Sequence, residues 1–173
     1  VGFFGSLRRV KKEVPGVQII FKFRPNNSAE QYRTYLHDLF PEGGIAITGN
    51  EDLFSLIVMS DIVTTNYSTV MYEAMIGKKP LVLFPWKSYN YALRVYAEPG
   101  FYPRTDDDLV RLIRNLCTEK DFYAAAVKKM ETFLTDNYSF DGRAAERLAA
   151  LLRKDLHTFS PHVADAVPGK SVV

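Results

Sequence analysis

Glu73 follows Thr69 by four positions and Ser68 by five. In a helix that spacing puts Thr69 and Glu73 on one face, roughly 6 Å apart along the axis at ~1.5 Å per residue. Two hydroxyls followed by a carboxylate suit a nucleotide. The hydroxyls, with the unpaired amides of a helix start, take phosphate, and the carboxylate takes the two hydroxyls of a ribose diol. Plainer readings stand beside this one. Asn66 or Ser68 can cap the helix with no ligand present. Glu73 can be a solvated charge paired with Lys78 or Lys79.

Elements on either side decide where such a helix would sit. Residues 61–65, DIVTT, and 80–84, PLVLF, read as strands, with a helix over 67–76 between them. Gly77 is expected to end that helix as a left-handed residue. Upstream, residues 17–25 (VQIIFKFRP) and 44–48 (GIAIT) read as two further strands, preceded by a short helix ending near Pro15 and Gly16. Ser28 and Gln31 suit a capping box for a helix carrying Tyr32, Leu36, Leu39 and Phe40. Residues 51–60 read as another short helix. Strands alternating with helices across short loops imply a parallel sheet with helices on both faces. In such sheets ligands bind beyond the carboxyl ends of the strands, here after Phe23, Thr48, Thr65 and Phe84.

Those four places supply the remaining candidates. Arg24 follows the first strand; its planar fork fits a phosphate, or it is a surface arginine. Gly49 follows the second, where it admits close backbone approach to a ligand or simply makes a turn. After the fourth strand Trp86, Tyr89, Tyr91 and Tyr96 cluster. Trp86 is read as a wall beside a nucleotide base, with helix-on-sheet packing as the alternative. The rest of the chain is helical. Its stripes are Leu109, Leu112, Ile113 and Leu116; Tyr123, Ala126, Val127, Met130, Phe133 and Leu134; and Ala145, Leu148, Leu151 and Leu152. All three are expected to be core faces. Residues 1–156 are expected to form one α/β lobe, and 157–173, without a period, a mobile tail.

Composition removes several classes of function. With 173 residues, 47% of them hydrophobic, the chain can bury a core. A net charge of +2 makes no case for nucleic acid. The short basic runs Arg8, Arg9, Lys11, Lys12 and Lys78, Lys79 read as solvated faces. One cysteine and three histidines provide neither a disulfide nor a metal-ligand spacing, so no metal is expected. Cys117 is expected to be buried and inert. No apolar run reaches the ~18–20 residues of a membrane span. Neither an initiator methionine nor a leader pattern is present, so the chain is expected to begin inside a longer protein.

Residues 60–84, SDIVTTNYSTVMYEAMIGKKPLVLF, resemble the donor-binding signature of GT-B glycosyltransferases: Ser/Thr, then Glu-Ala, then Gly-x-x-Pro before a strand. The nearest group is that of the CDP-glycerol glycerophosphotransferases and of capsule and teichoic-acid biosynthesis. Its SDI-x-x-T-D-Y-S-S-V is similar to SDIVTTNYSTV here, and FKFRP at residues 21–25 stands where that group has Lys-x-His-Pro. PGFYPRTDDDLVRLI and DNYSFDGRAAERLAALL resemble its closing helices. The resemblance covers residues 17–154. It implies a Rossmann-like carboxy-terminal lobe of a GT-B fold, with a helical end. The implied activity is transfer of a sugar or polyol phosphate from a nucleotide-activated donor to a cell-surface glycan or polymer.

By position, Ser68 and Thr69 would contact the donor's diphosphate and Glu73 its ribose. Arg24 replaces the group's histidine; it keeps a cation but not a titratable group, which fits stabilising the leaving diphosphate together with the amides of Tyr67, Ser68 and Thr69. Asn66 replaces an aspartate. Thr65 stands where retaining enzymes carry a second glutamate. No cofactor beyond the donor itself is implied. The acceptor, a glycan or lipid-linked polymer, would be held by an amino-terminal lobe that this chain lacks. The isolated lobe would then be inactive. The whole protein would be cytoplasmic, at the inner face of the cell membrane and peripherally associated with it. Two alternatives remain: a lobe of a UDP-N-acetylglucosamine 2-epimerase-like isomerase, and a non-catalytic α/β module that binds a protein partner.

Overall fold

The computed structural model describes residues 3–23, 29–66, 68–83 and 99–163, with side chains left undescribed at 29–31 and 156–163. The element order is α1 (Phe3–Glu13), β1 (Ile19–Lys22), α2 (Ala29–Leu39), β2 (Ile45–Thr48), α3 (Leu53–Met59), β3 (Val63–Thr65), α4 (Val70–Ile76), β4 (Leu81–Leu83), α5 (Asp106–Thr118), α6 (Lys120–Asn137) and α7 (Ala144–Val163). Strands and helices thus alternate as the hydrophobic periods require, each strand shorter than its apolar run. The α/β class is as expected, and every strand pairing among the described strands is parallel.

The described strands form two pairs rather than one continuous sheet. In one, Ile19 lies opposite Ile45 and Lys22 opposite Thr48. In the other, Val63 lies opposite Leu81 and Thr65 opposite Leu83. Phe101 extends the second pair as a parallel bridge to Val82, its amide donating to the Leu81 carbonyl at 2.9 Å.

Burial on both faces was expected of every strand and holds for β4, whose Leu81, Val82 and Leu83 are all buried. The first pair differs. Ile19, Phe21, Ile45 and Ile47 pack with Phe23, Leu7, Leu36 and Phe40 on one face, while Ile20 on the other is 46% exposed. Alternation along a strand makes this a one-sided element.

Helix α1 joins both cores. Its Leu7 belongs to the cluster over β1 and β2, and its Val10, with Val14 just beyond, packs with Val82, Leu109, Val110, Ile113 and Leu116. A polar seam fixes it to α5: buried Ser6 donates to Asp106 Oδ1 at 2.7 Å, Arg9 pairs with Asp107, and Arg114 donates to the Glu13 carbonyl at 3.1 Å.

Gly77 does not take the left-handed conformation expected of it. It has φ −70°, and Lys78 is left-handed instead, with φ 58°. Glycine is needed at 77 for space, because a Cβ there would meet Ile57 Cγ2 at 2.9 Å. The chain therefore turns one residue later, with the Lys78 and Lys79 amides donating to the carbonyls of Met75 and Ala74.

By contacts the chain divides into Val1–Asp136 and Asn137–Val173, a different division from 1–156 and a tail. Helix α7 runs through Val163, so helical backbone continues past residue 156. The α5 stripe is core as expected, and Ala126, Met130 and Leu134 of α6 are buried. The α7 stripe is not: Leu148, Leu151 and Leu152 are all more than half exposed. In Asn137–Val173 α7 is the one described helix lying wholly inside the unit, so no second helix there covers its leucines. Within it Asp141 accepts from the Arg143 amide at 3.0 Å and from Arg147 through both oxygens at 2.8 Å. Cys117 is exposed rather than buried, since it lies one position beyond the Leu116 edge of the stripe. Partial burial, helped by Asp61, still raises its pKa and keeps it a thiol.

Candidate functional site

Strand β3 delivers the central segment. Its Val63 amide donates to the Pro80 carbonyl at 3.0 Å, and the strand ends at Thr65 with Asn66 exposed. Thr69 begins α4 with helical dihedrals and caps nothing through its side chain. Ser68 Oγ lies 3.4 Å from the Val70 amide, a long contact. Among the described residues Asn66 makes no side-chain cap, and Ser68 makes only this long one. The Ser68 and Thr69 carbonyls accept from the amides of Met71 at 3.0 Å and Tyr72 at 2.9 Å, which closes the first turn.

Helix α4 has seven residues and buries Met71, Ala74 and Met75. Glu73 lies outside that stripe, half-buried, in the first turn. Its expected cationic partner is engaged elsewhere: Lys78 Nζ lies 3.0 Å from Glu131 Oε1. That bond holds the Glu131 carboxyl below the usual glutamate range. Lys79 is likewise not bonded to Glu73, and among the described residues Glu73 has no side-chain partner. Pairing with Lys78 or Lys79 thus does not account for Glu73, a half-buried carboxylate four residues beyond a threonine hydroxyl that has no partner among the described residues.

The second strand end is built differently. Thr48, 9% exposed, carries a hydroxyl with no hydrogen-bond partner among the described residues. At Gly49 a Cβ would meet nothing within 4 Å, and its φ is not left-handed. Neither crowding by described residues nor a left-handed φ demands glycine there. Asp52, next in line, is a structural cap of α3, accepting from the Ser55 amide at 2.7 Å. That bond lowers its pKa.

Lys22 is the residue that sequence reasoning passed over. Its ammonium donates to the Gly49 carbonyl at 2.5 Å and to the Phe23 carbonyl at 3.2 Å, tying the exits of β1 and β2. The signal was its place as the lysine of FKFRP. Gly49 and the Asn66–Glu73 segment follow strand carboxyl ends, but they belong to different strand pairs, and among the described residues no hydrogen bond or ion pair joins them. Arg24, Tyr67 and Trp86 lie outside the described residues. Among the described residues no group of three metal-ligating side chains occurs, and no helix is long and apolar enough to cross a membrane.

The family model for CDP-Glycerol:Poly(glycerophosphate) glycerophosphotransferase matches residues 7–154. The chain belongs to this family. Its relatives include the teichoic acid ribitol-phosphate polymerase TarK of Staphylococcus aureus, 24% identical over an alignment of 137 residues, with 75% of this chain and 25% of TarK covered. Among solved structures, a variant of the wall teichoic acid polymerase TagF is similar at TM-score 0.46 and 19% identity, over 92% of this chain and 49% of that one. The same variant soaked with CDPG gives TM-score 0.43 and 19% identity, over 90% and 46%. The chain therefore spans about a quarter of the curated relative's length and about half that of the solved chains.

Proposed function

We propose that this chain is the donor-binding lobe of a transferase that moves a polyol phosphate from a cytidine-diphosphate-activated donor to a teichoic-acid-like polymer at the cell surface. Ser68, Thr69 and the adjoining amides hold the diphosphate, Glu73 holds the ribose hydroxyls, and Gly49 lets the backbone approach the donor. Asn66 and Tyr67 border the phosphates. Arg24 stabilises charge on the leaving diphosphate, and Trp86 walls the base. The donor is a substrate, and no separate cofactor takes part. The acceptor, lipid-linked or polymeric, is held by the rest of the protein, which works at the inner face of the membrane. The observation that carries the site is Glu73, left without an ion-pair partner among the described residues in a chain of the glycerophosphotransferase family.

The chemistry asked of these residues is binding and charge stabilisation. Donors aimed at the diphosphate favour the leaving group as its negative charge grows. The test is titration of the chain with CDP, UDP and GDP, followed by NMR. CDP is expected to shift the signals of Ser68, Thr69 and Glu73 most strongly. Resonances unmoved at millimolar nucleotide would sink the reading.

A further inference from the structure

We propose that Lys22 is a positioning residue that turns the Gly49–Asn50 peptide so that the Asn50 amide is presented to the donor's diphosphate; this rests on the donor-binding reading. The last ladder bond of the β1–β2 pair runs from the Phe23 amide to the Thr48 carbonyl at 3.1 Å. Beyond it the Phe23 and Gly49 carbonyls have no strand partner, and the Lys22 ammonium takes both. Lys22 forms no ion pair with any other described residue, so its charge is spent on neutral backbone. Bonds to a charged donor are the stronger kind, and two of them from one ammonium fix where these carbonyls point.

The consequence follows from the planar trans peptide. In such a unit the carbonyl and the next residue's N–H point to opposite sides, and no cis peptide occurs among the described residues. With the Gly49 carbonyl turned onto Lys22, the Asn50 N–H points away from it. That amide makes no hydrogen bond to a described residue, and Asn50 is exposed. Next to it, nothing lies within 4 Å of the Cβ position of Gly49. A backbone donor held outward, at a strand carboxyl end, beside an open glycine, fits a phosphate oxygen.

The experiment compares the chain with Lys22→Met and Lys22→Arg variants by NMR, thermal unfolding and titration with CDP and cytidine. Without nucleotide, Lys22→Met is expected to move the Gly49 carbonyl carbon signal, and Lys22→Arg to restore it in part. With CDP, the wild-type Asn50 amide proton is expected to move downfield. Lys22→Met should lose that response and about tenfold in CDP affinity, the worth of one hydrogen bond to a charged group, while cytidine binding changes less than about twofold. An unchanged Gly49 carbon signal in Lys22→Met overturns the inference whether or not any nucleotide binds. So does equal loss of CDP and cytidine affinity, or a silent Asn50 while Ser68, Thr69 and Glu73 respond; in that last case the donor-binding reading stands alone. Silence at all four residues removes the donor-binding reading itself.

Discussion

The two strand pairs solve the same problem with different means. In β4 every side chain is buried, and this strand lies beside β3, which leads to Asn66. The β1–β2 pair is covered on one face and leaves Ile20 open on the other. There a lysine, not packing, orders the strand exits. The difference teaches that one side of the candidate site is held by hydrophobic burial, which is strong and non-directional. The other is held by a few directional bonds, which specify geometry but contribute little to stability.

The widest effect should separate the pairs by stability. Leu81→Ala removes a fully buried side chain and is expected to cost about 2–5 kcal/mol in urea unfolding. Ile20→Ala should cost less than about 1 kcal/mol, and an equal cost at both positions would break the comparison. Next comes function without stability. Glu73→Gln should weaken CDP binding by about tenfold or more yet leave the unfolding midpoint nearly unchanged, because no described partner is lost. A large fall in the midpoint would return Glu73 to a structural role.

Ser6→Ala tests the helix shared by both cores. Loss of the bond to Asp106 is expected to cost about 1–2 kcal/mol, with fluorescence and circular dichroism still giving one coincident transition. Two separated transitions would mean that the pairs unfold independently. A smaller effect of opposite sign is expected at Lys78, the non-glycine residue with positive φ. Lys78→Gly relieves left-handed strain of ~1 kcal/mol and loses an exposed ion pair of small worth, so a net gain of about 0.5 kcal/mol should appear as a raised midpoint.

The smallest effect is with pH. Asp52, Asp108 and Glu131 all have lowered pKa values, caused mainly by hydrogen bonds from Ser55, Thr105 and Lys78. Each therefore adds stability above its unfolded pKa, and that stability is lost as pH falls through its folded value. Urea midpoints should be flat near neutrality and decline in acid. A midpoint rising below pH 4 would contradict this.

Much of this was legible in the sequence because it rests on period and on local rules. The α5 stripe and the parallel strands follow from hydrophobic spacing, and the Ser68–Thr69–Glu73 spacing could be read as written. What escaped depends on contacts between distant residues. That Lys78 bonds Glu131 rather than Glu73 joins positions far apart in the chain. The need for glycine at 77 depends on Ile57, twenty residues away. The leucines of α7 have the period of a core face, but a period shows that a face is apolar, not that anything covers it. Lys22 escaped because its work is done on backbone carbonyls, which no residue pattern marks.

The seam between α1 and α5 has a consequence in time. Ser6 and Asp106 are 100 residues apart. At a synthesis rate of about 5–20 residues per second, α1 waits on the order of 5–20 s for the helix that covers Val10 and Val14. During that interval its apolar face is open to whatever else is nearby. The same contact that binds the two cores into one unit makes the nascent chain dependent, while it is being made, on a partner that arrives late.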